Sequence, residues 1–356
     1  MQFATLAVNL PAIAANYRLL RSHHAKNSVA AVVKANAYGL GVAEVSLTLW
    51  AEGCRDFFVA TLAEGIELRG VLPEAKIGVF QGLFAGEEKE YAAHRLNPVL
   101  NEISQIERFT KSDSLKTNQE IMLHVDTGMT RLGLCKSDLK HPLISSLATH
   151  PSLLILSHLA CANDPASHKN TEQLERFKNA LTHFPTAKAS LANSAGVFLP
   201  QVFHFDIART GCALYGISPS DDENPMQPVA TLSAPILQIR TLDRDETIGY
   251  GATATAKEGS RIAIIGLGYA DGYFRSLSNG SFAYIAGHKV PLVGRVSMDM
   301  VAVDISDIPE AKITASTRAE FINSLQTVDD IANQCNTIGY EIFTRIGNRV
   351  QRVYTD

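Results

Sequence analysis

Lys34 follows the apolar run Val29-Ala30-Ala31-Val32-Val33 and opens the stretch Lys34-Ala35-Asn36-Ala37-Tyr38-Gly39-Leu40-Gly41. The run reads as a buried strand, and the two glycines and the asparagine of the stretch after it read as a tight loop. A lysine on such a partly dry rim loses some of its preference for the ammonium form. Its amine is then available as a nucleophile for imine chemistry. A strand-end lysine considered alone is more often one that snorkels toward water. The residues downstream change that balance. Asp126, Thr127 and Arg131 follow a second apolar run, His158 a third, Asn193 and Ser194 a fourth, and Arg209 and Gly211 a fifth. Polar residues collect wherever strands end. That tendency does not account for an imine-competent lysine together with Gly/Ser loops of phosphate size and two arginines.

The elements that must position these residues alternate along the first two-thirds of the chain. Strand candidates fall at 28–33, 57–60, 76–80, 97–100, 121–125, 153–157, 187–192 and 204–208. Leu10, Ile13, Ala14, Tyr17 and Leu20 share one helical face before the first, and Leu174, Phe177 and Leu181 do so before the seventh. Eight strands separated by helices predict a parallel sheet closed into a (β/α)8 TIM-like barrel, whose active site belongs at the C-terminal strand ends. The polar stretch Ser218–Pro225 reads as a linker. Beyond it, Ala234–Leu242, Arg261–Leu267, Ser281–Ala286, Val290–Val293 and Met300–Ile305 are short and β-branched, which predicts a mostly β domain. Residues 316–335 read as helical. The expected division is a barrel over 9–225 and a β-rich domain over 226–356, which residues 1–8 are free to join.

Composition excludes several classes of function. The 356 residues are 46% hydrophobic and 19% charged, an ordinary globular balance. A net charge of -4 shows no basic bias toward nucleic acid. Cys54, Cys135, Cys161, Cys212 and Cys335 are scattered and form no Cys-x-x-Cys pair, so neither a metal site nor a disulfide framework is expected. The N-terminus lacks a signal-peptide pattern and no apolar run is long enough to span a bilayer, so a cytoplasmic protein is the expectation.

The chain resembles the bacterial alanine racemases, pyridoxal-phosphate enzymes built from a barrel and a β domain. The similarity runs in order through Val33–Gly39, Val125–Gly133, Ser157-His158, Asn193-Ser194 and Arg209–Gly216. It continues through Ile248-Gly249-Tyr250-Gly251, Gly268–Gly272, Gly294–Asp299 and Arg349–Tyr354. The lysine loop is also similar to one in single-barrel pyridoxal-phosphate proteins; the ordered set is far more specific.

This resemblance implies that Lys34 holds pyridoxal 5'-phosphate and serves as the base for the D-isomer, with Tyr250 as the opposite-face base for the L-isomer. A lone tyrosine titrates near ~10, so cationic neighbours are needed. His158 and Arg209 match the supporting pair. Arg209 also matches the residue facing the pyridine nitrogen. An arginine keeps its proton, so the ring becomes a weaker electron sink and racemisation is favoured over other pyridoxal reactions. Tyr38, Ser194 and Tyr354 match hydroxyl donors to the phosphate, and Gly211 and Cys212 match backbone donors. Arg131 matches the residue steering the substrate carboxylate, Met298 a backbone contact to substrate, and Asp299 an orienting residue. Tyr269, Arg275 and Arg295 match the access channel. The resemblance also implies a homodimer, with Tyr250 donated across the interface, acting on alanine and either supplying D-alanine for peptidoglycan or interconverting it in catabolism. The alternatives are a broad-specificity amino-acid racemase of the same fold, a non-catalytic pyridoxal-phosphate carrier and a decarboxylase. The second domain with Tyr250 argues against the carrier, and Arg209 against the decarboxylase.

Two positions depart from the family pattern. Many relatives carry a carbamate-modified lysine seven residues before the arginine; this chain has His124 there, which cannot form it. Either a bound anion such as chloride or another contact must then hold Arg131. Asn163 replaces a common acidic residue after the histidine motif, which alters the electrostatics of access.

Overall fold

The computed structural model describes residues 3–115, 120–220 and 223–355. Asp221 and Asp222 of the expected linker, and Met1 and Gln2 of the N-terminal segment, lie outside the described residues. The chain divides into two compact units, one of residues 12–227 and one of residues 1–11 with 228–356.

In the first unit, strands Val29–Val32, Asp56–Val59, Lys76–Val79, Asn97–Leu100, Ile121–His124, Leu153–Leu156, Lys188–Ser190 and Ala208–Thr210 pair in parallel as one eight-stranded sheet. The first and last of these are paired, Val29 opposite Ala208 and Ala31 opposite Thr210. The remaining gap, beside Lys188–Ser190, is bridged by Asp206 N–H donating to Ala189 O at 2.9 Å and Arg209 N–H to Ala192 O at 2.9 Å. The barrel is thereby nearly closed. Its interior is apolar because successive side chains alternate inward. Ala30, Val32, Phe58, Val99, Met122, Leu154 and Leu156 form this core. Amphipathic helices flank the strands: Leu10–His23, which buries Ile13, Tyr17 and Leu20, precedes the first, and His168–Leu181, which buries Leu174 and Phe177, lies between the sixth and seventh.

The eighth strand differs from the sequence expectation. It occupies Ala208–Thr210, not 204–208, because the backbone of Phe205 is left-handed (φ 53°) and His204 ends a 3-10 turn. Arg209 therefore sits within the strand, where its side chain is 3% exposed, and only Gly211 follows it.

The second unit is built on one eight-stranded sheet. The 12-residue strand Ala230–Thr241 pairs with Thr5–Asn9, Arg261–Ile265 and Arg318–Ile322. Thr5–Asn9 also pairs in parallel with Gln351–Thr355. The stretch 316–335 is not one helix. Arg318–Ile322 is a sheet strand with Ala319 and Phe321 buried, and the helix begins at Val328, capped by Thr327. The separate hairpin Glu246–Ile248 with Ala254–Ala256 carries Tyr250 at its turn. Among the described residues no helix is long and apolar enough to cross a membrane, and no group of His, Cys, Asp and Glu could hold a metal.

Candidate active site

The Lys34 loop is conformationally costly. Ala35, Asn36, Ala37 and Tyr38 all have φ between 51° and 56°. A left-handed turn of L-residues costs about 1–2 kcal/mol per residue, so its surroundings must over-determine it. Glu64 Oε1 accepts from Ala35 N at 2.7 Å, and Asn36 Oδ1 accepts from Val42 N at 2.7 Å. The Tyr38 ring packs on buried Tyr215 at 4.8 Å, and the Tyr215 hydroxyl donates to Val32 O at 2.8 Å. Glu64 itself is fixed by a capping box with Thr61 at the start of helix Leu62–Val71. Lys34 Nζ lies 6.0 Å from the centroid of the Phe80 ring. Burial, then Arg131, lowers its pKa from the ordinary lysine value, and Glu64 only partly opposes this.

Arg209 is the deepest cation at the C-terminal mouth of the barrel. One guanidinium nitrogen donates to Ser190 O at 2.9 Å and to the Ser190 hydroxyl, and the other to Ser157 O. Nε makes none of these bonds. Burial pushes the guanidinium down to about 10, so it stays protonated at neutral pH. His158 lies in the electrostatic reach of Arg209, Arg131, His124 and Lys34; burial and these neighbours hold it well below the ordinary histidine range. It is a neutral imidazole, and no hydrogen bond joins it to Arg209 among the described residues.

Arg131 is carried by an irregular loop that Asp126 organises. Asp126 Oδ1 accepts from Gly128, Met129 and Thr130 N–H at 2.8, 3.0 and 3.1 Å. Burial opposes ionisation, yet these amides hold the carboxyl below its ordinary value. No carboxylate is ion-paired with Lys34, Arg131 or Arg209 among the described residues. His124, pushed down to about 4 by burial and then by Arg209 and Arg131, is neutral as well, so three cations beside two neutral histidines leave a basin that demands anions.

On the same rim, Ser194 Oγ accepts from Gly211 N at 2.9 Å and Ala213 N at 3.4 Å, and Ser194 is buried. A Cβ on Gly211 would stand 2.5 Å from the Tyr38 hydroxyl oxygen, so only glycine lets backbone and hydroxyl approach there. Hydroxyls and amides gathered this way suit a phosphate. Cys212 opens the following 3-10 turn. The half-buried Asn193 donates to Leu159 O at 3.4 Å and accepts from Gly196 N at 2.9 Å. Asn163 is exposed.

In the β-rich unit, Tyr250 stands 72% exposed between Gly249 (φ 71°) and Gly251 (φ 73°). A Cβ on Gly251 would meet the Arg295 guanidinium at 2.9 Å. Tyr250, Arg295, Ser297 and Met300 line an apolar depression of about 440 Å3. Exposed Met298 accepts from Ala270 N through its carbonyl at 3.0 Å. Asp299 accepts from Arg349 Nη1 at 2.8 Å, and the same arginine pairs with buried Asp271 at 3.0 Å. Tyr269 opens the turn Tyr269–Asp271, and Arg275 opens Arg275–Leu277. Tyr354 lies in the strand Gln351–Thr355.

Several residues that shape the site carry no motif of their own. Gln173 donates to the Thr127 hydroxyl at 3.1 Å and His158 O at 2.8 Å, tying two strand-end loops together. Ser190 and Asn101 act likewise through backbone-directed bonds. Glu64 was legible: Thr61-x-x-Glu64 ahead of an apolar helix is a capping-box signature.

Residues 8–219 match the family described as alanine racemase, N-terminal domain, and residues 229–354 match alanine racemase, C-terminal domain. An alanine racemase of Rickettsia canadensis is 43% identical over the whole of both chains. Among solved structures, the Bartonella henselae alanine racemase with covalently bound pyridoxal phosphate is 38% identical, with a TM-score of 0.89 over 99% of each chain. The biosynthetic alanine racemase of Pseudomonas aeruginosa is 36% identical, with a TM-score of 0.91 over all of both chains. With both domain families matched in order and close relatives aligned from end to end, the chain belongs to the alanine racemase family.

Proposed function

We propose that this protein is an isomerase that interconverts L-alanine and D-alanine, with pyridoxal 5'-phosphate held through Lys34. The observation that carries the reading is the gathering of Lys34, Arg131 and Arg209 at one barrel mouth with no carboxylate paired to them among the described residues. The donor set fits the cofactor: an amine with a lowered pKa, a hydroxyl and amide cradle for its phosphate, and a buried arginine whose Nε is uncommitted. When bound, pyridoxal phosphate supplies the electron sink that makes an amino-acid Cα–H acidic enough to remove.

The chain's own residues then manage position and protons. Lys34 takes and returns a proton at its Nζ on the face of the D-isomer. Tyr250 does so at its hydroxyl oxygen on the opposite face. Arg209 keeps its own proton at neutral pH; facing the cofactor's ring it would donate no proton to it, which would leave the electron sink weak and favour return of a proton to Cα over side reactions. Burial beside Arg209 keeps His158 neutral, and in this reading it is the residue through which Arg209 supports the tyrosine. Arg131 offers a planar fork to the substrate carboxylate, with the Met298 amide assisting and Asp299 held by Arg349. Tyr38, Ser194 and Tyr354 would contribute hydroxyls to the phosphate and Gly211 and Cys212 amides, with the Gly211 amide turning to the phosphate from Ser194 Oγ, to which it donates in this structure. Tyr269, Arg275 and Arg295 filter access by size and charge. His124 carries no primary amine, so no carbamate forms there.

The working enzyme in this reading is a cytoplasmic homodimer in which the partner subunit's Tyr250 completes each site. Its product serves peptidoglycan synthesis. Support for assembly comes from the exposed Tyr250, Met298 and Met300 of the β-rich unit, an apolar group of the kind that marks contact surfaces. Incubating the purified protein with pyridoxal phosphate and L-alanine should yield D-alanine up to an equimolar mixture. Absence of D-alanine from a protein that has taken up the cofactor would refute the activity, and a fully active monomer would refute the shared site.

A further inference from the structure

Asn101 follows the strand Asn97–Leu100 and is buried. Its Nδ2 donates to Phe80 O at 2.9 Å and to Val99 O at 2.7 Å, and its backbone amide donates to Gln105 Oε1 at 2.8 Å. Two carbonyl acceptors on one side of the amide fix which end is nitrogen. The other end, Oδ1, therefore faces His124 Nδ1 at 2.8 Å. An amide oxygen carries no hydrogen, so Nδ1 must be the donor. His124 ends the strand Ile121–His124 and lies in the electrostatic reach of Arg209, Arg131 and Asp126. Burial, then the two arginines, pushes it down to about 4, so it is neutral at physiological pH. With hydrogen on Nδ1, the lone pair belongs to Nε2.

Arg131 has no hydrogen-bond partner among the described residues. Asp126, the acid of the same loop, spends Oδ1 on three amides of that loop and so places the loop, not the guanidinium. We propose that Asn101 locks His124 in the Nδ1–H tautomer, so that its Nε2 lone pair is the acceptor offered to the Arg131 guanidinium in the holoenzyme, a bond that is not made among the described residues of this structure. Asn101 and His124 are then positioning residues for substrate. A neutral acceptor has one consequence that an anionic one lacks: it orients the guanidinium without cancelling its charge, and leaves that charge for the substrate carboxylate. This inference rests on the assignment of Arg131 to the carboxylate.

The test uses holoenzyme labelled with 15N only in histidine, with long-range 1H–15N spectra at pH 7 and the His124 signals identified by their loss in His124→Gln. The expected pattern is a neutral ring with hydrogen on Nδ1. A cationic ring, or hydrogen on Nε2, overturns the proposal, and the wild-type spectrum decides this even if Asn101→Ala fails to fold. Steady-state kinetics supply the second readout. His124→Leu should raise KM for alanine about tenfold or more, the loss of one hydrogen bond to a charged group, with kcat little changed. His124→Gln, which keeps an acceptor oxygen, should recover most of that loss. An unchanged KM in His124→Leu overturns the proposal. Trapping of the cofactor on Lys34 by borohydride tests the functional reading separately: trapping with the wrong tautomer sinks only the histidine lock, and no trapping sinks the reading beneath it.

Discussion

At the C-terminal mouth of the barrel, Lys34, Arg131 and Arg209 stand beside two neutral histidines, and no acid is paired with them among the described residues. At the N-terminal mouth, Asp56 and Lys76 begin their strands, Glu120 immediately precedes another, and Lys188 begins a fourth. There two carboxylates meet two lysines, with Lys76 Nζ 3.7 Å from Glu120 Oε1. Burial raises the pKa of both Asp56 and Glu120, and the lysines pull each back down. One mouth stores uncompensated charge and the other neutralises itself. A site that must capture anions cannot satisfy its own cations, whereas the opposite end is free to do so for stability.

The sharpest way to break this contrast is to remove the chemistry at the top. Lys34→Ala should lower kcat/KM about 10^3-fold or more and abolish borohydride trapping. Any substantial racemisation left in that variant would end the assignment. Tyr250→Phe should cost about 10^2- to 10^4-fold, and it carries a finer signature. In heavy water the variant should still exchange the α-hydrogen of D-alanine through Lys34 while losing exchange into L-alanine. Equal exchange into both isomers would mean that Tyr250 is not the second base.

The two mouths should also respond to pH with opposite signs. His124 and His158 have folded pKa values below the unfolded value of about 6.5. Below that pH the unfolded chain binds protons that the folded chain refuses, so their contribution is complete above about 6.5 and declines as the pH falls. The limiting slope is about 1.4 kcal/mol per pH unit for each histidine. The buried, stacked pair His24 and His204, 5.0 Å apart, is depressed in the same sense and adds to the slope. Asp56 and Glu120 have raised values, so the folded chain binds the extra protons, and their contribution weakens as the pH rises from about 4 through the folded pKa. Urea melts between pH 5 and 7 should therefore show stability falling toward acid, less steeply in His124→Gln. A flat profile in the wild type would contradict the neutral histidines.

Lys76→Met tests the lower mouth directly. It strips a half-exposed cation from two partly buried carboxylates, so a loss of about 1–2 kcal/mol is expected, below the figure for a fully buried pair. Racemase kcat and KM at 25 °C should be unchanged. A fall in activity with no loss of stability would show that the two ends are not functionally separate.

The same contrast explains what was legible in the sequence. Barrel strands such as Val29–Val32 and Leu153–Leu156 are continuous apolar runs, so they can be read directly. Ala208–Thr210 is three residues long with an arginine at its centre, while His204-Phe205-Asp206-Ile207-Ala208 looks more strand-like until the left-handed Phe205 breaks it. Arg318–Ile322 alternates inward and outward, but it adjoins a true helix, and the period of that helix masks it. Thr327 with Asp330 marks where the helix begins, a signal that was present and overridden. Within the site, Lys34, Arg131 and Arg209 stand in recognisable motifs, whereas Asn101 and Gln173 act across elements through backbone carbonyls and leave no local pattern.

The smallest expected effect lies where a legible signal and the site meet. Thr61 Oγ1 accepts from Glu64 N at 3.2 Å, and the Glu64 carboxylate caps Ala60 and Thr61 with one oxygen and Ala35 with the other. Thr61→Ala removes one helix cap, which costs about 1 kcal/mol. It also removes the contact that aims Glu64 at the left-handed turn after Lys34. If that turn depends on Glu64, the variant should lose a few-fold in kcat and show faster amide exchange at Ala35 than the stability loss alone explains. Exchange that follows global stability and no more would assign Thr61 to the helix and leave the turn to Asn36 and Tyr38.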